Sequence, residues 1–110
     1  MVAHKRPLVA RPLSAKDGWR DIEALAGSPT LWIEARWAVS QLTTRQREVL
    51  GLMAAGLSNK EIGRELGCSP RTIEIHRGNM MHKIGARSAG DAVRIAIYAA
   101  LAEMRLVSAD

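Results

Sequence analysis

Three helix starts, each with its own capping residues and each followed by a glycine stop, constrain this chain more than any other feature. Thr43 stands three residues before Gln46, so each can satisfy a backbone N–H beside the other, the reciprocal arrangement of a capping box. Ser58 and Glu61 repeat that arrangement, with Leu57 and Ile62 placed to close over it as a hydrophobic staple. Ser69 precedes Pro70, whose fixed φ suits the first helical position, and Cys68 with Ile73 offers a second staple. Gly56, Gly67 and Gly85 fall where a left-handed residue ends a helix. A fourth start at Ser88 opens a segment running to about Met104, with Ala89, Ala92, Val93, Ala96, Ile97 and Ala100 as its apolar positions. Val49, Leu50 and Met53 supply the apolar stripe of the first segment. Ile73, Met80 and Ile84 supply that of the third, joined by His76 or the stem of Arg77. Helical spacing in every segment, with only short turns between them, predicts an all-α domain of four helices over residues 42–106.

Upstream the chain changes character. Residues 1–18 carry Lys5, Arg6, Arg11 and Lys16 among Pro7, Pro12 and Gly18, and read as a flexible basic arm. Residues 19–41 read as a helical extension: a turn or two from Trp19 to Ala26, then a helix capped by Ser28 with Pro29 behind it. Leu31, Ala35, Ala38 and Leu42 make one stripe of that second helix. Trp32 and Trp37 fall on different sides of it. Residues 107–110 are left as a tail. A chain of 110 residues allows one core, and its 4% aromatic content favours helices over strands.

Several function classes fall away. Cys68 is the sole cysteine, so no internal disulfide forms, and it reads as a small buried hydrophobe. His4, His76 and His82 have no metal-ligand spacing with one another or with Cys68, and His76 reads as a packed histidine. No nucleophile is paired with a base, and no glycine-rich phosphate loop or carboxylate pair occurs, so neither an enzyme nor a cofactor is expected. No signal peptide and no bilayer-length apolar run are found. The formal charge of +5 suits a polyanionic partner. A cytoplasmic protein is the expectation.

The segments opened by Ser58 and Ser69 are separated only by Gly67-Cys68-Ser69, which makes a helix-turn-helix. In that arrangement the first helix braces against the duplex and the second enters the major groove. Arg71, Glu74, Ile75 and Gly78 fall at i, i+3, i+4 and i+7, on a face opposite the Ile73, Met80 and Ile84 stripe. Arginine can bond guanine, glutamate can accept from cytosine, and isoleucine can touch a thymine methyl. Gly78 would let the backbone approach the groove floor. Lys60, Arg64, Arg77, Lys83 and Arg87 surround that face as candidate phosphate contacts, and the small polar opening Ser69-Pro70-Arg71-Thr72 invites a phosphate at the helix N-terminus.

The runs Leu42-Thr43-Thr44-Arg45-Gln46-Arg47-Glu48-Val49-Leu50, Gly56-Leu57-Ser58-Asn59-Lys60-Glu61-Ile62 and Ser69-Pro70-Arg71-Thr72-Ile73-Glu74-Ile75-His76-Arg77 resemble the LuxR-type (GerE) helix-turn-helix family. The text that ends Met80-Met81-His82-Lys83-Ile84 is most similar to its FixJ-like branch. The resemblance implies a four-helix DNA-binding domain whose third helix reads bases through Glu74, Ile75 and Gly78. Thr72, Lys83 and Arg87 would hold phosphates, and Glu48 would be structural. It also implies a homodimer on an inverted repeat of double-stranded DNA, formed by the fourth helix; Val93, Ile97 and Ala100 are the residues assigned to that contact. Two departures from the pattern stand out. About forty residues precede the motif, too few for a receiver domain, which predicts a stand-alone regulator. Gly63 and Cys68 replace larger or more usual apolar residues, which predicts altered local packing. The competing expectation is a protein-interaction adaptor docking on another regulator or RNA polymerase through Trp19, Trp32 and Trp37.

Overall fold

The computed structural model describes residues 18–108, which form six helices: α1 (Gly18–Ala26), α2 (Pro29–Ser40), α3 (Thr44–Ala54), α4 (Asn59–Leu66), α5 (Pro70–Ile84) and α6 (Ala89–Ser108). No strand occurs among the described residues. The basic arm expected over residues 1–18 lies, except for Gly18, outside them; Gly18 itself is the first residue of α1.

The helix starts form as their capping residues dictate. Thr43 Oγ1 accepts from the Gln46 N–H at 3.1 Å while Gln46 Oε1 accepts from the Thr43 N–H at 3.0 Å. Ser58 and Glu61 close the same pair of bonds at 3.2 and 2.8 Å. Ser69 Oγ accepts from the Thr72 N–H, and Ser28 Oγ from the Leu31 N–H. Ser88 Oγ accepts from the Asp91 N–H, and Asp91 in turn accepts from the Arg87 N–H. Each such cap contributes about 1 kcal/mol.

The three stops share one mechanism. Gly56, Gly67 and Gly85 have φ of 96°, 71° and 72°. The reversal lets Leu57, Cys68 and Ala86 donate back to Leu52, Gly63 and Met81, closing the last turn of α3, α4 and α5.

One continuous core joins all helices beyond α1. Val49, Leu50 and Met53 from α3, Ile62 from α4, and Ile73, Met80 and Ile84 from α5 are buried, as their spacing predicts. Of the apolar positions read in α6, only Ala92 is fully buried. Ala92, Ile95, Tyr98, Ala99 and Ala102 enter the core, whereas Ile97 is 52% exposed and Ala100 lies on the surface. Two apolar faces run along this helix, and spacing alone does not say which one the core takes.

The extension belongs to that core. Helix α6 packs most extensively against α2, burying Ala35 and Ala38. Arg36 Nε pairs with Glu103 Oε1 at 2.8 Å, and the Arg105 guanidinium lies 5.9 Å from the Trp32 ring centre. These contacts carry α6 to Ser108, beyond the Met104 that composition suggests. Burial raises the Tyr98 phenol above its ordinary range, with the Arg94 charge opposing in part.

Candidate nucleic-acid interface

The turn between α4 and α5 is tight for a steric reason. A Cβ built on Gly63 would sit 2.5 Å from the Cys68 carbonyl oxygen, closer than any side chain tolerates. Gly63 lets the turn backbone lie directly on α4, and Cys68 donates back to its carbonyl at 2.8 Å. The altered packing expected at this pair is therefore a close backbone approach that holds the two helices together. Cys68 itself is half-buried against the core, and its thiol donates to the Leu66 carbonyl.

With Ile73, Met80 and Ile84 inside, α5 turns Arg71, Glu74, Ile75 and Gly78 to the surface. Arg71 Nη1 and Glu74 Oε1 pair at 3.3 Å across one turn, both well exposed. Such a pair is worth at most about 1 kcal/mol, so either partner can turn to a ligand at little cost. Ile75 is 50% exposed beside them. Gly78 has open space where a Cβ would be. A glycine inside a helix costs about 1 kcal/mol against alanine. No neighbour among the described residues requires this one.

The cations divide by their partners. Lys60 and Arg64 stand on the exposed side of α4, and Arg87 is exposed before α6. Arg77 is half-buried, and its Nη1 donates to Asn59 Oδ1 at 2.6 Å, tying α5 to the start of α4. Thr72 shares a hydroxyl contact with Ser69 at 3.0 Å. Lys83 Nζ reaches Gln46 Oε1 at 3.1 Å and the Gln41 carbonyl at 3.4 Å. Glu61 sits between Lys60 and Arg64 in sequence, and the Ser58 N–H and hydroxyl hold its carboxyl below the usual carboxylate range.

The remaining candidates lie elsewhere. Ile97 and Ala100 are exposed on α6, and Val93 is half-buried against the core. Trp19 is 71% and Trp37 43% exposed, while Trp32 packs against the core with its Nε1 buried and lacking an acceptor among the described residues. Glu48 pairs with Arg45 at 3.3 Å. No group of three or more metal-ligating side chains occurs among the described residues, and no helix among them is long and apolar enough to cross a membrane.

The profile of the GerE family, described as bacterial regulatory proteins of the luxR family, matches residues 40–96. The transcriptional regulatory protein FixJ of Bradyrhizobium diazoefficiens is 42% identical over 82 residues, covering 74% of this chain and 40% of that protein. FixJ of Rhizobium meliloti is 44% identical over 64 residues, 58% of this chain and 31% of its own length. The transcriptional regulatory protein UhpA of Escherichia coli is 50% identical over 44 residues, 40% of this chain and 22% of its length. The crystal structure of full-length FixJ from B. japonicum superposes with a TM-score of 0.62 at 40% identity, over 78% of this chain and 42% of that one. The chain thus spans about two fifths or less of the length of these relatives. The profile's match takes in α3, α4, α5 and the first turns of α6: the chain belongs to the luxR family of bacterial regulatory proteins.

Proposed function

We propose that this chain is a sequence-specific transcriptional regulator that binds an inverted-repeat promoter site as a homodimer. Helix α5 lies in the major groove, with Arg71, Glu74, Ile75 and Gly78 toward base edges. Lys60, Arg64, Thr72, Arg77 and Arg87 hold phosphates and fix the register. The observation that carries this reading is the outer face of α5: four adjacent exposed positions, of which one is a helix-interior glycine without any internal steric reason.

The second apolar face of α6 supports the dimer. Val93, Ile97, Ala100 and Met104 follow one another at spacings of four, three and four, the seam that two helices bury against each other. Ile97 and Met104 are 52% and 64% exposed in the single chain. Two copies joined there present two α5 helices related by a two-fold axis, which an inverted repeat matches.

A protein partner at the N-terminal helices is favoured by the exposure of Trp19, Ile33 and Trp37 on α1 and α2. This would supplement DNA binding; as an adaptor alone, the chain would have no use for the Arg71–Gly78 face. The test is a genome-wide binding map of the protein and of an Arg71→Ala, Glu74→Ala double variant. Sharp peaks that share an inverted repeat and vanish in the variant are expected. Peaks that persist in the variant would mean recruitment by another protein.

A further inference from the structure

We infer that Lys83 is a positioning residue, which sets how α5 lies against the junction of α2 and α3, rather than a phosphate contact; the inference rests on α5 being the base-facing helix. Among the described residues, Gln46 is the one polar residue that is buried, 7% exposed. Its Oε1 already accepts from the Thr43 N–H at 3.0 Å. The Lys83 ammonium supplies the second donor at 3.1 Å, from a helix 37 residues away in sequence. A second oxygen joins this cluster, since the same ammonium reaches the Gln41 carbonyl at 3.4 Å.

Gln41 is the C-cap of α2, and Lys83 lies in the last turn of α5. Both places are the negative ends of helix dipoles, so one cation stabilises two helix ends at once. Lys60, Arg64 and Arg87 make no side-chain hydrogen bond to another helix among the described residues. If Lys83 turned to a phosphate, the buried Gln46 oxygen would lose its charged donor, and the last carbonyls of α2 would lose their cation.

The consequence for recognition is geometric. The N-terminus of α5 is fixed by the turn that lies on Gly63. Its C-terminus is fixed by Lys83. Two anchored ends set the tilt of the helix, and the tilt decides which base edges Arg71, Glu74 and Ile75 can reach. A loss of about an ångström in placement is enough to lose oriented contacts.

The experiment uses the full chain and two duplexes: one enriched by the wild-type protein from a randomised pool, and a scrambled one of equal length. Affinity for each is measured across salt for Lys83→Met, Gln46→Leu, their double variant and Gln46→Glu, together with thermal stability. We expect Lys83→Met and Gln46→Leu each to weaken the enriched duplex on the order of tenfold, the worth of a hydrogen bond to a charged group. The double variant should be no worse than either single one, the scrambled duplex should be bound as before, and the salt slope should not change. Gln46→Glu, which keeps an acceptor for both donors, should retain affinity. A salt slope smaller by about 0.9, with equal loss on both duplexes and no effect of Gln46→Leu, would show a phosphate contact and overturn the inference. Lower melting temperatures with unchanged affinities below the transition would overturn it too, leaving Lys83 a stabilising residue only. An Arg71→Ala, Glu74→Ala control that still binds the enriched duplex would instead remove the reading of α5 on which the inference depends.

Discussion

At the scale of single residues, two glycines in the helix-turn-helix serve opposite needs. Gly63 answers a constraint inside the fold, because the Cys68 carbonyl occupies the place of its Cβ. Gly63→Ala should cost about 1–3 kcal/mol, the range for forced overpacking, and a denaturant titration reads it directly. Gly78 answers none, since its outer side is open. Gly78→Ala should therefore raise the stability of the free protein by about 1 kcal/mol, from helix propensity, while weakening binding to the enriched duplex. An alanine variant that is more stable and binds equally well would mean that no backbone approaches DNA there. Glu61 gives a pH signature of the same local kind. Its folded pKa is depressed by the Ser58 N–H and hydroxyl, so its contribution is present above its ordinary value near 4.5 and is lost as pH falls through the lower folded value. Glu61→Gln keeps an acceptor without the titration, and its melting temperature should fall less steeply than that of the wild type across that acid window.

At the scale of elements, the domain boundary suggested by the sequence pattern divides a packed unit. The capped helices begin at Thr43, and the family profile begins at residue 40. Yet α2 covers α6 through Ala35, Ala38, Trp32 and Val39, with the Arg36–Glu103 and Arg105–Trp32 contacts along its edge. Removing residues 1–41 should cost on the order of 5 kcal/mol, from the apolar surface of Ala35, Ala38, Trp32, Val39 and the α6 residues beneath them. Differential scanning calorimetry of the shortened chain checks this. A melting temperature equal to that of the whole chain would make α2 an independent appendage. The Arg36–Glu103 pair itself contributes little, because both partners are about half exposed.

At the scale of the whole molecule, the question is what the second face of α6 meets. The core takes Ile95, Tyr98 and Ala99, and on the opposite side Ile97 is 52% and Met104 64% exposed. Sedimentation of the wild-type protein should show a dimer, and Ile97→Asp, which puts a charge in the seam, should show a monomer with unchanged helical content. That monomer should bind a single half-site about as well as the wild type, but should lose the inverted-repeat advantage by tenfold or more, on the order of the effective-concentration gain of linked sites. An equal affinity of variant and wild type for the full repeat would remove α6 from the interface.

The sequence alone determined the local events. Caps at Thr43, Ser58, Ser69 and Ser88 and stops at Gly56, Gly67 and Gly85 depend on a handful of neighbouring residues, and so they are legible from spacing. So is the outward face of α5, because a clear apolar stripe of Ile73, Met80 and Ile84 leaves only one other side. Three things required tertiary structure. Helix α6 is apolar on two faces, and only the position of α2 and α3 selects Ile95 and Tyr98 for the core over Ile97. The meaning of Gly63 depends on where the chain five residues later folds back, since a small residue carries no sign of what approaches it. The partner of Lys83 is Gln46, on another helix, and a lysine on a surface pattern looks the same whether its ammonium meets a phosphate or a buried amide. Local hydrogen bonding is written in adjacent residues; long-range partners are decided by packing, where many faces compete for one interior.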